Sequence, residues 1–288
     1  GSAAFSASDA SSATAALLSV SSPASPFATS ITESSFVSPV MSVLASPRSS
    51  RSTVLKGSCR HACGGHGSLK VSSPKTYPVD GQMFLLSIWV TNPETMVLGF
   101  EVLKCWAKPT CVVTPRSIIY PEATDDGVEL AKGAKEMKQS QSSAIVATKK
   151  LFAKKYPEIN LAGLTDASLQ VFLKNTGGPS GGLIFALGLV ELLTPENLLQ
   201  GRKIAATGTI SASGRVGAIG GVQEKIVAAR AAGVELLFIS RQNCDEISGE
   251  VDGLKVIAVS TLEEAYLALK DGGNSDFRGV QGCTNLSA

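Results

Sequence analysis

Lys203-Ile204-Ala205-Ala206-Thr207-Gly208-Thr209-Ile210 and, some thirty residues later, Glu235-Leu236-Leu237-Phe238-Ile239-Ser240 are the stretches that decide the fold class. Both read as strands, and the first turns at Ser213-Gly214. Between them Val222–Ala232 has helical spacing, with Val222, Ile226 and Ala229 on one face. Gly233 closes that helix, because glycine takes the left-handed cap conformation without steric penalty. Working outward, Lys255–Ser260 is a further strand and Leu262–Lys270 a further helix. On the N-terminal side Ser168–Lys174 is a strand, Asn175-Thr176-Gly177-Gly178-Pro179 a loop, and Ser180 to about Leu193 an apolar helix. Strands alternating with helices argue an α/β (α+β) fold.

Further upstream, Met83-Phe84-Leu85-Leu86-Ser87-Ile88-Trp89-Val90-Thr91 is β-rich and mostly apolar, as a strand covered on both faces would be. Thr95–Trp106 reads as a helix and Thr110–Val113 as a short strand. Val128–Tyr156 is a long helical region with an expected break near Gly133, stopped by Pro157. Within it Met137, Ala144, Ile145, Ala147, Thr148, Leu151 and Phe152 recur near helical spacing.

Composition narrows the function. The net charge of +2 conceals an asymmetry, with residues 1–79 at +4 and the remainder at −2. The folded part thus lacks the clustered basic excess that tracks phosphates, and nucleic-acid binding is not expected. The longest apolar stretch, Gly181–Leu193, is too short for a membrane span and is interrupted by Glu191. The two histidines, His61 and His66, both precede the fold signal. A nucleophilic enzyme built from the rest must take its general base from another residue type, and lysine is the first candidate. Six cysteines (Cys59, Cys63, Cys105, Cys111, Cys244, Cys283) are scattered without a small-scaffold pattern, so reduced thiols are expected. The cluster Cys59–His66 has zinc-compatible residue types but matches no standard module, and no metal or cofactor is expected.

Serine supplies 18 of the first 55 residues, with few acids and few, late arginines. Such a segment cannot bury enough apolar surface to offset its ordering entropy. Its composition is that of an organellar transit peptide, more chloroplast-like than mitochondrial, with the mitochondrion as the alternative. The chain begins Gly1-Ser2 rather than with methionine, as a chain with a cloning scar or a fragment of a longer chain would. The expected organisation is a disordered, transit-peptide-like segment over 1–69, a domain over 70–270 (70–156 and a catalytic core at 168–270), and a polar, fraying tail over 271–288.

Two segments carry chemistry. Gly177-Gly178-Pro179-Ser180-Gly181-Gly182 joins a strand to an apolar helix. Its glycines admit a ligand close to the backbone, and the helix start offers unpaired N–H groups with positive partial charge. That suits a phosphate, although no Gly-x-x-x-x-Gly-Lys-Ser/Thr run is present, or it suits a Ser180 hydroxyl beside donors for an oxyanion. The second segment is Thr207-Gly208-Thr209-Ile210 followed by Gly217-Ala218-Ile219-Gly220-Gly221-Val222-Gln223-Glu224-Lys225. Lys225 lies one turn into a helix on the flank of its apolar face. Spacing alone favours a snorkelling lysine, whereas one aimed into a cleft would be desolvated and partly neutral, able to accept a serine proton.

Taken together, Gly-Pro-Ser-Gly-Gly, Thr-Gly-Thr-Ile, Gly-Arg-Val-Gly-Ala-Ile-Gly-Gly-Val-Gln-Glu-Lys and Ala-Ala-Arg-Ala-Ala-Gly-Val-Glu-Leu-Leu-Phe-Ile closely resemble the proteolytic domain of Lon proteases. The resemblance is strong over about 168–269 and implies that family's fold, a mixed sheet with packed helices. It implies Ser180 as nucleophile, Lys225 as general base and Thr207 as the hydroxyl that orients the lysine. Backbone groups at Gly178, Pro179, Ser180 and Gly181 would form the oxyanion site. A weaker likeness upstream, including Val113–Pro121 and the Ser140-Gln141 pair, is to bacterial PDZ-containing Lon-like proteases. Only Lys150–Asp166 fills the position where those carry the PDZ domain, and no ATPase motif is present in these 288 residues. The sequence departs from the family pattern at Gly181, where alanine is usual, at Thr209, where glutamate is common, and at Gln223, where lysine is frequent. The interval from Ser180 to Lys225 is slightly longer than is typical, with the extra residues in the Thr194–Gly201 loop.

The expectation that follows is an ATP-independent Ser-Lys endopeptidase acting on polypeptides through an acyl-enzyme, without cofactor. The family's usual hexamers imply a homo-oligomer. Two alternatives stand beside it: a non-catalytic Lon-like binding module, of the kind carried by a bacterial DNA-repair protein, and a proteolytic subunit that needs a separate ATPase partner.

Overall fold

In a computed structural model of the chain, the central sheet runs in the order Gly279–Gln281, Lys255–Val259, Leu236–Ser240, Lys203–Ala206, Gln82–Leu85, Val54–Leu55. The structure describes residues 39–40, 54–55, 68–88, 90–107, 113, 115–120, 124–173, 176–247, 251, 253–272 and 279–283. Every pairing in the sheet is parallel except that of Val54–Leu55, which runs antiparallel to Gln82–Leu85. Ile204 aligns with Met83 on one side and Leu236 on the other, and Ala205 with Phe84 and Leu237.

Because successive side chains point to opposite faces, this register sorts the apolar residues into two cores. Met83, Leu85, Ile204, Ala206, Leu236, Phe238, Ile257 and Val259 pack into one, with the helices Gly182–Leu193 and Leu262–Lys270 and the second half of Asp126–Lys155. Phe84, Ala205, Leu237, Ile239, Val256 and Ala258 pack into the other, against Val222, Ile226 and Ala229 of the helix Val222–Ala231. A sheet covered on both faces has strands that read as continuous apolar runs, and the fold is the mixed α/β arrangement expected.

The helix Gly182–Leu193 is buried at all twelve positions, as its apolar composition on every side requires. Its single charge, Glu191, is also buried. Glu191 Oε2 accepts the Leu198 N–H at 3.1 Å, and burial pushes its carboxyl up to about 7. Arg202 donates to the Leu198 and Leu199 carbonyls at 2.7 and 2.9 Å. These bonds, together with the burial of Leu198 and Leu199 in the core, hold the longer loop after the helix.

The chain divides into two units, one containing Trp89–Glu129 and the other Val40–Ile88 with Leu130–Ala288. In the smaller unit the helix Gly99–Trp106 is anchored by Glu101, whose Oε2 accepts the Leu98 N–H at 2.7 Å, and Tyr120 Oη donates to the Thr91 carbonyl at 2.8 Å. None of the helices among the described residues is long and apolar enough to cross a membrane.

Several expectations need correction. The upstream strand is shorter than its apolar run and is interrupted at Leu86, with Gln82–Leu85 paired in the sheet. Asp126–Lys155 is one uninterrupted helix through Gly133. Gly133 instead provides a close backbone approach: its carbonyl accepts the Gly178 N–H at 2.9 Å, and a Cβ built on Gly177 would lie 3.0 Å from Gly133 Cα. The expected strand over Lys203–Ile210 is split, with Thr207 and Gly208 leaving the ladder for the candidate site. The ordered fold also begins before residue 70. Ser68–Val71 pairs antiparallel with Leu169–Phe172, and Val54–Leu55 adds an edge to the central sheet. The expected strand Thr110–Val113 and the cluster Cys59–His66 lie outside the described residues, apart from Val113.

The tail does not simply fray. Gly279–Gln281 adds a parallel edge strand, and Cys283 forms a disulfide with Cys244 across a sequence separation of 39. Cys105 is also disulfide-bonded, so the expectation of reduced thiols is overturned. Cysteine spacing does not reveal pairing; the sheet order that brings residue 283 beside residue 244 does. Cys283→Ser, which opens this bridge, is expected to lower stability by about 2–4 kcal/mol, read as a lower Tm in non-reducing buffer.

Candidate active site

Ser180 sits half-buried in the turn that enters the helix Gly182–Leu193. Its backbone is tied to the end of the strand Lys203–Ala206. The Ser180 carbonyl accepts the Gly208 N–H at 3.0 Å and the Thr207 hydroxyl at 3.4 Å, while the Gly208 carbonyl accepts the Leu183 N–H at 3.0 Å. Thr207 is in turn held by its own N–H, which donates to the Phe238 carbonyl at 2.9 Å. The other side of the loop is secured from the long helix, where Ser140 Oγ donates to the Pro179 carbonyl at 3.2 Å.

Tight packing explains the glycines beside Ser180. A Cβ on Gly182 would lie 2.8 Å from the backbone nitrogen of Ile210, which leaves no room for alanine. At Gly181, where alanine is usual in the Lon pattern, a Cβ would meet Leu85 Cδ1 at 2.9 Å and the Phe185 ring at 3.0 Å. Leu85 and Phe185 fill the space that the methyl group would take.

Of the four backbone positions expected to form an oxyanion site, two are removed. Gly178 already donates its N–H to Gly133, and Pro179 has none. Among the described residues, the N–H groups of Ser180 and Gly181 have no protein acceptor. They stand at the start of a twelve-residue helix, where partial positive charge accumulates.

Lys225 lies in the first turn of Val222–Ala231. Gly221 enters that helix at φ +70°, a left-handed conformation that favours glycine, with Ile88 Cδ1 filling the space a Cβ would need. The lysine does not snorkel: it is only 3% exposed. Among the described residues no carboxylate is within ion-pair distance of its ammonium. Burial therefore dominates and pushes the amine down to about 8, opposed by the charges of Glu224 and Glu246.

The structure brings Ser180 and Thr207 together through the bond to the Ser180 carbonyl. Ser180 Oγ and Lys225 Nζ are not hydrogen-bonded to each other in this structure. Sequence reading missed the turn Arg241–Glu246, a short 3-10 helix that grips the segment leading to Lys225. Its polar, uneven composition carries no periodic signal.

The two-sided α/β sheet thus carries a serine at a glycine-rich helix start and a buried lysine on a second helix that has no ion-pair partner among the described residues. Comparison with known proteins is more specific. Residues 137–269, just under half of the chain, match the Lon protease (S16) C-terminal proteolytic domain. It is 39% identical over 92 residues to a Lon protease of Campylobacter concisus, covering 30% of this chain and 11% of that protein. Similarity to Lon protease 2 of Bacillus subtilis is 37% over 87 residues, covering 30% and 15%. To a mitochondrial Lon protease homologue of Debaryomyces hansenii it is 33% over 138 residues, covering 45% and 12%. The match thus spans less than a sixth of the length of each of these relatives.

Proposed function

We propose that this chain is an ATP-independent serine endopeptidase with a Ser180–Lys225 dyad. The observation that carries this reading is the buried Lys225, whose amine is held low enough to be substantially neutral near pH 8. Neutral Lys225 takes the Ser180 Oγ proton as that oxygen attacks the peptide carbonyl carbon. The N–H groups of Ser180 and Gly181 receive the developing oxyanion. The protonated amine then returns its proton to the leaving nitrogen, and water, deprotonated by the same amine, hydrolyses the acyl-enzyme. Thr207 holds the Ser180 backbone in place, and the family relationship supports a homo-oligomeric assembly.

Purified protein is expected to cleave an unfolded polypeptide at the same rate with and without ATP. A strict nucleotide requirement would remove the ATP-independent reading, and a requirement met only by an added ATPase would identify this chain as a proteolytic subunit. A second reading, a non-catalytic Lon-like binding module, is favoured by one observation, the missing hydrogen bond between Ser180 Oγ and Lys225 Nζ. Hydrogen bonds of catalytic groups are often long without substrate, so that observation does not outweigh the buried amine.

The composition of residues 1–55 supports import into an organelle. Chloroplast entry rests on that composition, whereas the similarity to mitochondrial Lon homologues favours the mitochondrion as the alternative. A fluorescent fusion of residues 1–69, given a start methionine, is expected to enter plastids of a plant cell. Accumulation in mitochondria would select the alternative, and a cytosolic or secreted signal would exclude both.

A further inference from the structure

We propose that Asn243 is a positioning residue for the peptidase reaction, one that sets the segment carrying Lys225. This inference rests on the Ser-Lys reading given above. Asn243 is fully buried, at 0% exposure, in the turn Arg241–Glu246. Its Oδ1 accepts the Ile219 N–H at 3.0 Å, and its Nδ2 donates to the Ile219 carbonyl at 2.8 Å. Both backbone groups of one residue are thus gripped by one amide, which fixes where Gly220 and the left-handed Gly221 begin the lysine helix. Only a side chain with adjacent donor and acceptor can do this; aspartate lacks the donor and leucine lacks both.

The same turn makes two more contacts with this segment. Gln242 Oε1 accepts the Ala218 N–H at 3.0 Å, and Gln223 Nε2 donates to the Glu246 carbonyl. The Cys244–Cys283 disulfide anchors the turn from the far side. Lys225 follows one helical turn after the gripped residue, and its own N–H donates to the Gly221 carbonyl at 3.1 Å.

Asn243 has a second effect through charge. Its Nδ2 also donates to Glu246 Oε1 at 2.6 Å. Glu246 and Glu224 are the carboxylates whose charge acts on the Lys225 amine, and both favour its protonated form. The amide partly occupies the Glu246 carboxylate and holds the segment that leads into the buried lysine's helix. Removing it frees that carboxylate and loosens the burial, and both changes push the amine in the same direction, toward the charged form that cannot act as a base.

The test follows the Lys225 amine directly, by NMR titration of the full chain carrying lysine labelled with carbon-13 at Cε. The Lys225 signal is identified as the one lost in Lys225→Arg. Asn243→Ala is expected to move the titration midpoint upward by roughly half a unit or more. It is also expected to lower kcat at pH 8 by about tenfold or more, with KM unchanged, as misplacement of a catalytic group does. Asn243→Ser, which retains one polar atom, is expected to shift in the same direction and serves if the alanine variant does not fold. Leu254→Ala, in the same apolar core, is expected to lower Tm while leaving the midpoint in place. The proposal is overturned if the folded Asn243 variants titrate like the parent and keep kcat within about twofold, or if Leu254→Ala moves the midpoint equally. If the parent cleaves no peptide, or if Ser180→Ala cleaves as well as the parent, the Ser-Lys reading fails, and the titration alone then decides whether Asn243 positions the lysine.

Discussion

Ser180→Ala is expected to reduce peptide cleavage by on the order of 10³ or more while leaving the fold in place. The loss follows from the proposed role of the Ser180 hydroxyl as the atom that forms the acyl-enzyme. The stability expectation comes from the site itself. Among the described residues the Ser180 hydroxyl makes no hydrogen bond, and the helix cap falls on Gly181, so no capping bond is lost. The contacts that hold the loop are made by the Ser180 carbonyl, which alanine retains. Thermal unfolding is therefore expected to change by no more than about 0.5 kcal/mol. Full activity of a correctly folded variant would end the assignment of the nucleophile to this residue.

At Lys225 three substitutions have different consequences. With Lys225 as the proposed base, only its neutral form accepts the serine proton, so wild-type activity should rise with pH through about 8, the value to which burial lowers this group. Lys225→Arg should be as inactive as Lys225→Ala, because a guanidinium stays protonated. Lys225→Met should also be inactive, yet more stable than wild type at neutral pH. Below about pH 8 the folded protein holds a buried, charged amine, and the cost of that burial is fully present. Between about 8 and the unfolded value near 10.5 the unfolded chain binds more protons than the folded one, so wild-type stability rises with pH across that window. Methionine removes the cost at pH 7, a gain on the order of 2–3 kcal/mol, and its Tm should not follow the wild-type rise at alkaline pH. Near-normal activity of Lys225→Arg with an unchanged pH profile would place the base elsewhere.

Much of the core was legible in the sequence because it depends on short-range pattern. The helix holding Lys225 was placed from Val222, Ile226 and Ala229, which are buried in one core as expected. The strands Leu236–Ser240 and Lys255–Val259 fall within the stretches expected for them, because continuous apolar runs of that length suit strands covered on both sides. Less legible were features that require a partner distant in sequence. Gly133 read as a helix break because its reason for being glycine, the approach of Gly177 and Gly178, comes from more than forty residues away. The end of the chain read as polar and loose because its edge pairing is carried by backbone groups, which composition does not reveal.

For the candidate site the same division holds. The residue types and their order belong to the sequence by itself: a serine at a glycine-rich helix start, a threonine at a strand end, a lysine one turn into a helix, and no histidine in the body to compete as base. These follow from local chemistry, since turns, caps and helical phase are set within a few residues. Only the tertiary structure decided whether Lys225 is buried or snorkels, which backbone donors near Ser180 are spent, and that Asn243 grips the segment before the lysine helix. Each depends on what the sheet brings alongside, and desolvation and hydrogen-bond saturation are properties of a neighbourhood rather than of a residue type.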